Sequence, residues 1–218
     1  GIMISVSTFL TLAMQCAPTV HPDTTLDIAR TESAFQPLAI GVVNGDSIYP
    51  KSIDDAKEQI KTLKSKGKNY SIGLMQINQS NFKKFSVTAD DMFNPCKNLN
   101  IFEKIITDCY VRGETLKRAL SCYYSGNFDT GQRPELAFKN SSYTQRIGYA
   151  VPSTKQDQQD QQAQSSPPEQ LTVLYPASVL RAPLAQVPAT NTHYPAHIVR
   201  GDFVIHETKE SKNESVKK

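Results

Sequence analysis

The stretch Ile28-Ala29-Arg30-Thr31-Glu32-Ser33-Ala34-Phe35-Gln36-Pro37 decides how this chain is read. Upstream of it, Pro22 suits a first helical position, where its missing N–H is no loss, with His21 or Asp23 at or beside the cap. Leu26, Ala29 and Ser33 recur at the spacing of one helix face. Pro37 biases Gln36 away from helical geometry, so the helix must stop between Ser33 and Phe35. Glu32 therefore falls in a last turn, where the negative end of the helix dipole opposes a carboxylate. Partly apolar surroundings push the same way and raise its pKa. A glutamic acid still protonated near neutral pH is what a general acid requires. A solvated glutamate at a helix end has the same local sequence, so the stretch needs partners elsewhere in the chain.

Downstream, Ala39 to Tyr49 places Asn44-Gly45 between short apolar runs, the local signal of a two-residue hairpin turn. Ser52 opens a helix whose Ile53, Ala56, Ile60 and Leu63 share one face, and Gly67 stops it. Asn69 to Ile72 reads as a third short strand beside the hairpin, delivering Gly73-Leu74-Met75-Gln76. The remainder is helical. Asn78 or Ser80 caps a short helix through Phe85, and Thr88 caps another before Met92 and Phe93. From Asn98, the positions Leu99, Phe102, Ile105, Ile106 and Cys109 form an amphipathic stripe that ends at Gly113. Leu116, Ala119, Leu120 and Tyr123 make the next apolar face, closed by Gly126. Residues 128–133 are turn-rich, and 141–150 read as a last short helix. On the amino-terminal side, Phe9, Leu12, Ala13 and Cys16 fall at helical spacing.

The character of the chain changes beyond residue 150. All four Cys and all four Met precede it, whereas seven of the 13 Pro lie from Pro152 onward. Residues 1–154 hold 17 basic and 14 acidic residues, and 155–218 hold seven of each. A mildly basic folded part suits an anionic polymer, but the excess is too small, and too poor in basic-aromatic faces, for nucleic-acid binding. Gln156 to Gln170 cannot bury enough apolar area to offset chain entropy and reads as a linker. Pro176, Pro183, Pro188 and Pro195 favour extended segments after it, with Val199 to His206 a candidate strand for a partner's sheet edge. Arg200-Gly201-Asp202 is a three-residue match of the kind chance supplies. The run Ile2 to Met14 is apolar, yet it lacks a basic flank and a small-x-small cleavage site. It is also too short and too rich in Ser/Thr for a stable membrane span. We expect a first helix of the domain there, with any export signal lying upstream and removed.

Cys16, Cys96, Cys109 and Cys122 show no C-x-x-C and no His at zinc-ligand spacing, so two disulfides in an oxidising compartment are expected, with three connectivities open. His21, His193, His197 and His206 are too dispersed for a metal site or a triad. No metal and no cofactor is expected.

Four blocks then stand in order: Glu32-Ser33; Gly73-Leu74-Met75-Gln76-Ile77; Cys122-Tyr123-Tyr124-Ser125-Gly126-Asn127; and Tyr143-Thr144-Gln145-Arg146-Ile147. The set resembles the lysozyme-like lytic transglycosylases (SLT-type) that cut peptidoglycan. With Gln15-Cys16-Ala17-Pro18 and Asn94-Pro95-Cys96 added, it looks like the branch that accompanies type IV secretion systems. The resemblance covers roughly residues 9 to 150. It implies an α+β, mostly α fold, in which a lysozyme-like domain over 1–154 carries a small antiparallel hairpin or sheet insertion. A Pro/Gln-rich, largely disordered tail over 155–218 follows. It also implies action in the bacterial periplasm, on peptidoglycan strands, with secretion-system components met through the tail. Cys16 then pairs with Cys96 or with Cys122.

The resemblance assigns Glu32 two roles. It first protonates the leaving oxygen of a β-1,4 bond, then acts as base toward the sugar's own C6 hydroxyl, closing a 1,6-anhydromuramyl product. An internal hydroxyl has a high effective concentration and replaces the second carboxylate that hydrolases use. Gly73 lets backbone approach a glycan, Met75 offers a pliable apolar wall, and Gln76 can donate and accept. Ser33 orients Glu32 or satisfies the helix end, and Tyr143 matches the family tyrosine beside the acid. Tyr123 and Tyr124 belong to a block that more often reads A-Y-N-x-G. Here Tyr124 stands where Asn is expected, and Asn127 is a candidate to supply the lost amide. Two rivals remain: a goose-type lysozyme-like hydrolase, for which Asp46, Asp54 and Asp55 are candidate second carboxylates, and a catalytically dispensable glycan-binding or assembly scaffold.

Overall fold

A computed structural model describes residues 2–148. The expectations for the tail, from the linker to the Val199–His206 strand, lie outside the described residues. Among the described residues, seven α-helices and a three-stranded sheet follow one another as α1 (Val6–Cys16), α2 (Pro22–Ser33), β1 (Ile40–Val42), α3 (Ile53–Ser65), β2 (Tyr70–Ile72), β3 (Ile77–Asn78), α4 (Ala89–Met92), α5 (Pro95–Gly113), α6 (Leu116–Ser125) and α7 (Tyr143–Ile147). The sheet is antiparallel in the order β1-β2-β3, with Gly41 opposite Ser71 and Ile72 opposite Ile77.

Local chemistry explains most boundaries. His21 caps α2 through its ring nitrogen, Pro22 takes the first turn, and Ala34 closes the helix in the left-handed region. Ser52 caps α3, Thr88 and Asp91 form a reciprocal capping box on α4, and Ser142 and Gln145 do the same on α7. The core gathers Phe9, Ala13, Ile28, Ala29, Ile60, Ile72, Leu74, Phe102, Ile106 and Leu120 into one continuous cluster from α1 to α6. α5 is the central helix, packed on both α1 and α6.

Two disulfides pin that helix, Cys16–Cys96 at its start and Cys109–Cys122 to α6. Of the two partners the resemblance allowed Cys16, the first is the one formed. Its sequence separation of 80 residues closes a loop that the chain-entropy account values at about 4–5 kcal/mol.

Several expectations are corrected. The turn after β1 is not centred on Asn44-Gly45. The Gly45 N–H donates to the Val42 carbonyl, so Val43 and Asn44 are central, and Asn44 takes the positive φ of 55°. The hairpin's returning arm is a single bridge, Ile48 to Ile40, and the sheet is instead built from β2, which pairs with β1, and from β3, which sequence did not signal. A two-residue strand is too short to show alternation. The helix expected through Phe85 is one 3-10 turn over Gln79–Asn81, capped by Asn78. α5 starts at Pro95 under an Asn94 cap, three residues before Asn98. In α2 Leu26 is half-buried, and the inward face runs through Thr25, Ile28, Ala29 and Glu32. α7 is shorter than expected, since Gly148 caps it at φ 117°.

Candidate active site

Glu32 occupies the last turn of α2 and is only 6% exposed. The helix ends one residue after Ser33 because Ala34 and Phe35 both take positive φ, 50° and 62°. The Ser33 hydroxyl donates to the Ala29 carbonyl at 3.1 Å, so it satisfies the helix backbone at the turn that carries the acid. The chain then runs to Ala39, whose carbonyl accepts from the Gly73 N–H at 2.8 Å and from the Gln76 side-chain amide at 3.0 Å. These bonds join the segment leaving Glu32 to the Gly73–Gln76 turn.

That turn is clamped from behind by Asn98. Its amide nitrogen donates to the Ile72 and Met92 carbonyls, each at 2.9 Å, and its oxygen accepts from the Met75 N–H at 3.0 Å. Gly73 sits at φ 84° with Asn98 Nδ2 and the Met92 carbonyl 2.4 and 2.5 Å from where a Cβ would stand. The close approach that requires glycine is made by the protein itself. Gln76, at φ 54°, donates also to the Gly73 carbonyl and braces the turn. Met75 is fully buried, and the buried Tyr123 hydroxyl donates to its carbonyl. Gly73, Met75, Gln76 and Tyr123, expected on the glycan, thus have internal contacts that shape the turn.

The other side of α2 meets α7. The Thr31 hydroxyl lies 2.9 Å from the Asp27 carbonyl of its own helix and 3.2 Å from the Arg146 carbonyl of α7. Tyr143, at the start of α7, is buried, and its ring stacks on Tyr124 with centroids 4.1 Å apart and planes 6° from parallel. The Tyr124 hydroxyl donates to Glu135 at 2.8 Å, and Arg146 pairs with the same carboxylate oxygen at 3.0 Å. Tyr124 therefore has a structural reason to stand where the commoner block has Asn: it reaches a buried carboxylate that an Asn is too short to meet. Asn127 is exposed, and its side-chain oxygen accepts from the Asp129 and Thr130 N–H groups, forming a turn after α6.

Asp27, five residues before Glu32 on α2, is buried and has its pKa raised to about 7. Burial is the main cause, opposed by the Arg30 guanidinium at 3.3 Å and assisted by Asp23. Of the candidate second carboxylates, Asp55 accepts from the Lys51 N–H and from Gln59, bracing the first turn of α3. Asp46 and Asp54 are exposed.

Sequence reasoning missed Asn98, Asp27 and Glu135. Asn98 did carry a signal, since it precedes Phe102 by four and Ile105 by seven and so lies on the apolar stripe, where a polar residue must be bonded. Glu135 carried none, since it lies in irregular chain without periodicity.

A family-wide sequence comparison matches residues 9–145 to the transglycosylase SLT domain. The chain belongs to that family. Among curated relatives, the chain is 42% identical over 149 residues to "Type IV secretion system protein virB1" of Brucella abortus biovar 1 (strain 9-941), a match covering 64% of this chain and 62% of that protein. It is 32% identical over 136 residues to "Protein virB1" of Agrobacterium fabrum (strain C58 / ATCC 33970), covering 59% and 56%. The matches thus span about three fifths of each relative's length. No solved structure gives a significant match. No helix among the described residues is long and apolar enough to cross a membrane.

Proposed function

We propose that this chain is a peptidoglycan lytic transglycosylase, cutting the MurNAc-GlcNAc β-1,4 bond to leave a 1,6-anhydromuramyl end, and that it opens the cell wall locally for a type IV secretion system. The observation that carries the reading is a buried carboxyl, Glu32, at the end of a helix in an SLT domain, where the preceding Thr31 meets α7 and the segment that follows is bonded through Ala39 to the Gly73–Gln76 turn. Glu32 delivers the proton to the leaving oxygen and then takes one from the C6 hydroxyl. A burial of this depth keeps bulk water from competing for that step. Tyr143 stands where the family keeps a tyrosine beside its acid, and orients that acid or the substrate. The name of the Brucella relative, a type IV secretion system protein, supports the secretion-system setting, and cutting the wall there is work for the periplasm.

In this reading the tail over 155–218 meets secretion-system components, and residues 1–154 form the catalytic unit. Deletion of 155–218 leaves glycan cleavage intact; a truncated protein that unfolds or loses turnover would move the boundary.

The deciding experiment is chromatography of purified wall digested by wild type and by Glu32→Gln. Anhydro ends from the wild type, with turnover lost by about a thousandfold or more in an intact Glu32→Gln fold, are the expected result. Reducing ends would make the protein a hydrolase. Equal digestion and equal secretion by both proteins would leave a glycan-binding scaffold.

A further inference from the structure

We infer that Glu135 is a positioning residue for the proposed reaction: through Arg146 and Tyr124 it fixes the place of Tyr143 and of α7 against the end of α2 that bears Glu32. The inference rests on the transglycosylase reading above. Glu135 is 6% exposed, and one of its oxygens gathers groups from two helices, the Tyr124 hydroxyl of α6 and the Arg146 guanidinium of α7. Arg146 Nη2 also donates to the Tyr124 hydroxyl at 3.2 Å, which closes a three-membered cluster. Its Nη1 donates to the Ser141 carbonyl at 2.9 Å, and its guanidinium lies 3.7 Å over the Phe138 ring.

The loop that carries Glu135 is fixed as well. Glu135 bridges Ser141, the Glu135 carbonyl accepts from the Phe138 and Asn140 N–H groups, and Lys139 and Asn140 both take positive φ. Two contacts lead from the cluster toward the acid. Tyr124 stacks flat on Tyr143, and the Arg146 carbonyl meets the hydroxyl of Thr31, the residue before Glu32.

A buried ion pair is a poor device for stability alone, because apolar side chains of similar volume replace it at little cost or with a gain. What it provides is one geometry: a carboxylate accepting from a fixed fork and a phenol holds both directions at once. Here those directions set the ring on which Tyr143 rests.

The test compares wild type, Glu135→Gln, the double variant Glu135→Leu with Arg146→Met, and Leu63→Ala as a destabilised control in α3, away from the cluster. Initial rates on soluble uncrosslinked glycan strands are taken well below every variant's Tm, with Glu32→Gln run in parallel. Glu135→Gln is expected to lower kcat about tenfold or more with KM within twofold. The double variant, which regains thermal stability, keeps the low kcat, whereas Leu63→Ala loses Tm but not kcat. A double variant with wild-type kcat, or a Glu135→Gln loss that Leu63→Ala matches at equal Tm, overturns the inference and leaves a structural ion pair. An active wild type beside an inactive Glu32→Gln shows that such a failure belongs to Glu135 alone. Equal activity of wild type and Glu32→Gln overturns both readings.

Discussion

The two supports of the chain around Glu32, one met through Ala39 and the other through Thr31, are built from different materials. On the Gly73–Gln76 side the holding groups are neutral: Asn98 bonds three backbone groups, Gln76 bonds two carbonyls, and Tyr123 bonds one. On the α7 side a carboxylate, a guanidinium and three aromatic rings share one cluster. The neutral side gets its rigidity from side chains replacing a missing ladder, since β3 is only two residues long and the turn has few strand partners. The charged side has no sheet near it and uses directional contacts between α6, the 135–141 loop and α7. The first arrangement needs an absent side chain at Gly73; the second needs matched charges.

Breaking the matched charges gives the largest expected loss of stability. Arg146→Met leaves the Glu135 carboxylate buried without its guanidinium, and the cost is about 3–5 kcal/mol. A denaturant titration that finds less than about 1 kcal/mol would mean that water reaches the cluster. On the neutral side, Gly73→Ala puts a Cβ against Asn98 and the Met92 carbonyl at a positive φ. About 2–4 kcal/mol is expected, because backbone must shift to admit it. Asn98→Ala removes the clamp and orphans one buried N–H and two carbonyls, for about 2–3 kcal/mol. Its melting temperature should fall equally in low and high salt. A salt-dependent loss would erase the contrast between the sides.

The gentlest test asks whether α2, shared by both sides, adds its own charge sensitivity. Asp27 titrates near 7 when folded and near 3.8 when unfolded. Between those values the folded protein binds the extra proton, so stability from this group is complete below about pH 4 and falls as pH rises toward 7. The slope is at most about 1.4 kcal/mol per pH unit. Asp27→Asn should flatten the dependence of Tm on pH across that window, and an unchanged slope would assign it to other groups.

Much of the fold was legible because it rests on local chemistry. The stop of α2 before Pro37, the Ser52 and Thr88 caps, and the stripe of α5 each depend on residues within one or two turns of one another. The place of Glu32 in the last turn of α2 was legible too, from the proline that follows it. What the three ordered blocks after it do was less so. Gly73, Met75, Gln76 and Tyr123 are expected from sequence to face a glycan, and the structure ties them to backbone and core, since a site wall needs support before it can offer a surface.

By itself the sequence determined most of the helices, several of their ends and the family, because capping, periodicity and proline sterics act over a few residues. Only the tertiary structure decided that Cys16 joins Cys96, that Asn98 clamps the 73–76 turn, and that Tyr124 leans on Glu135. Those choices join residues 80, 23 and 11 positions apart. At such separations, distance and direction are set by how helices pack, which no local pattern records.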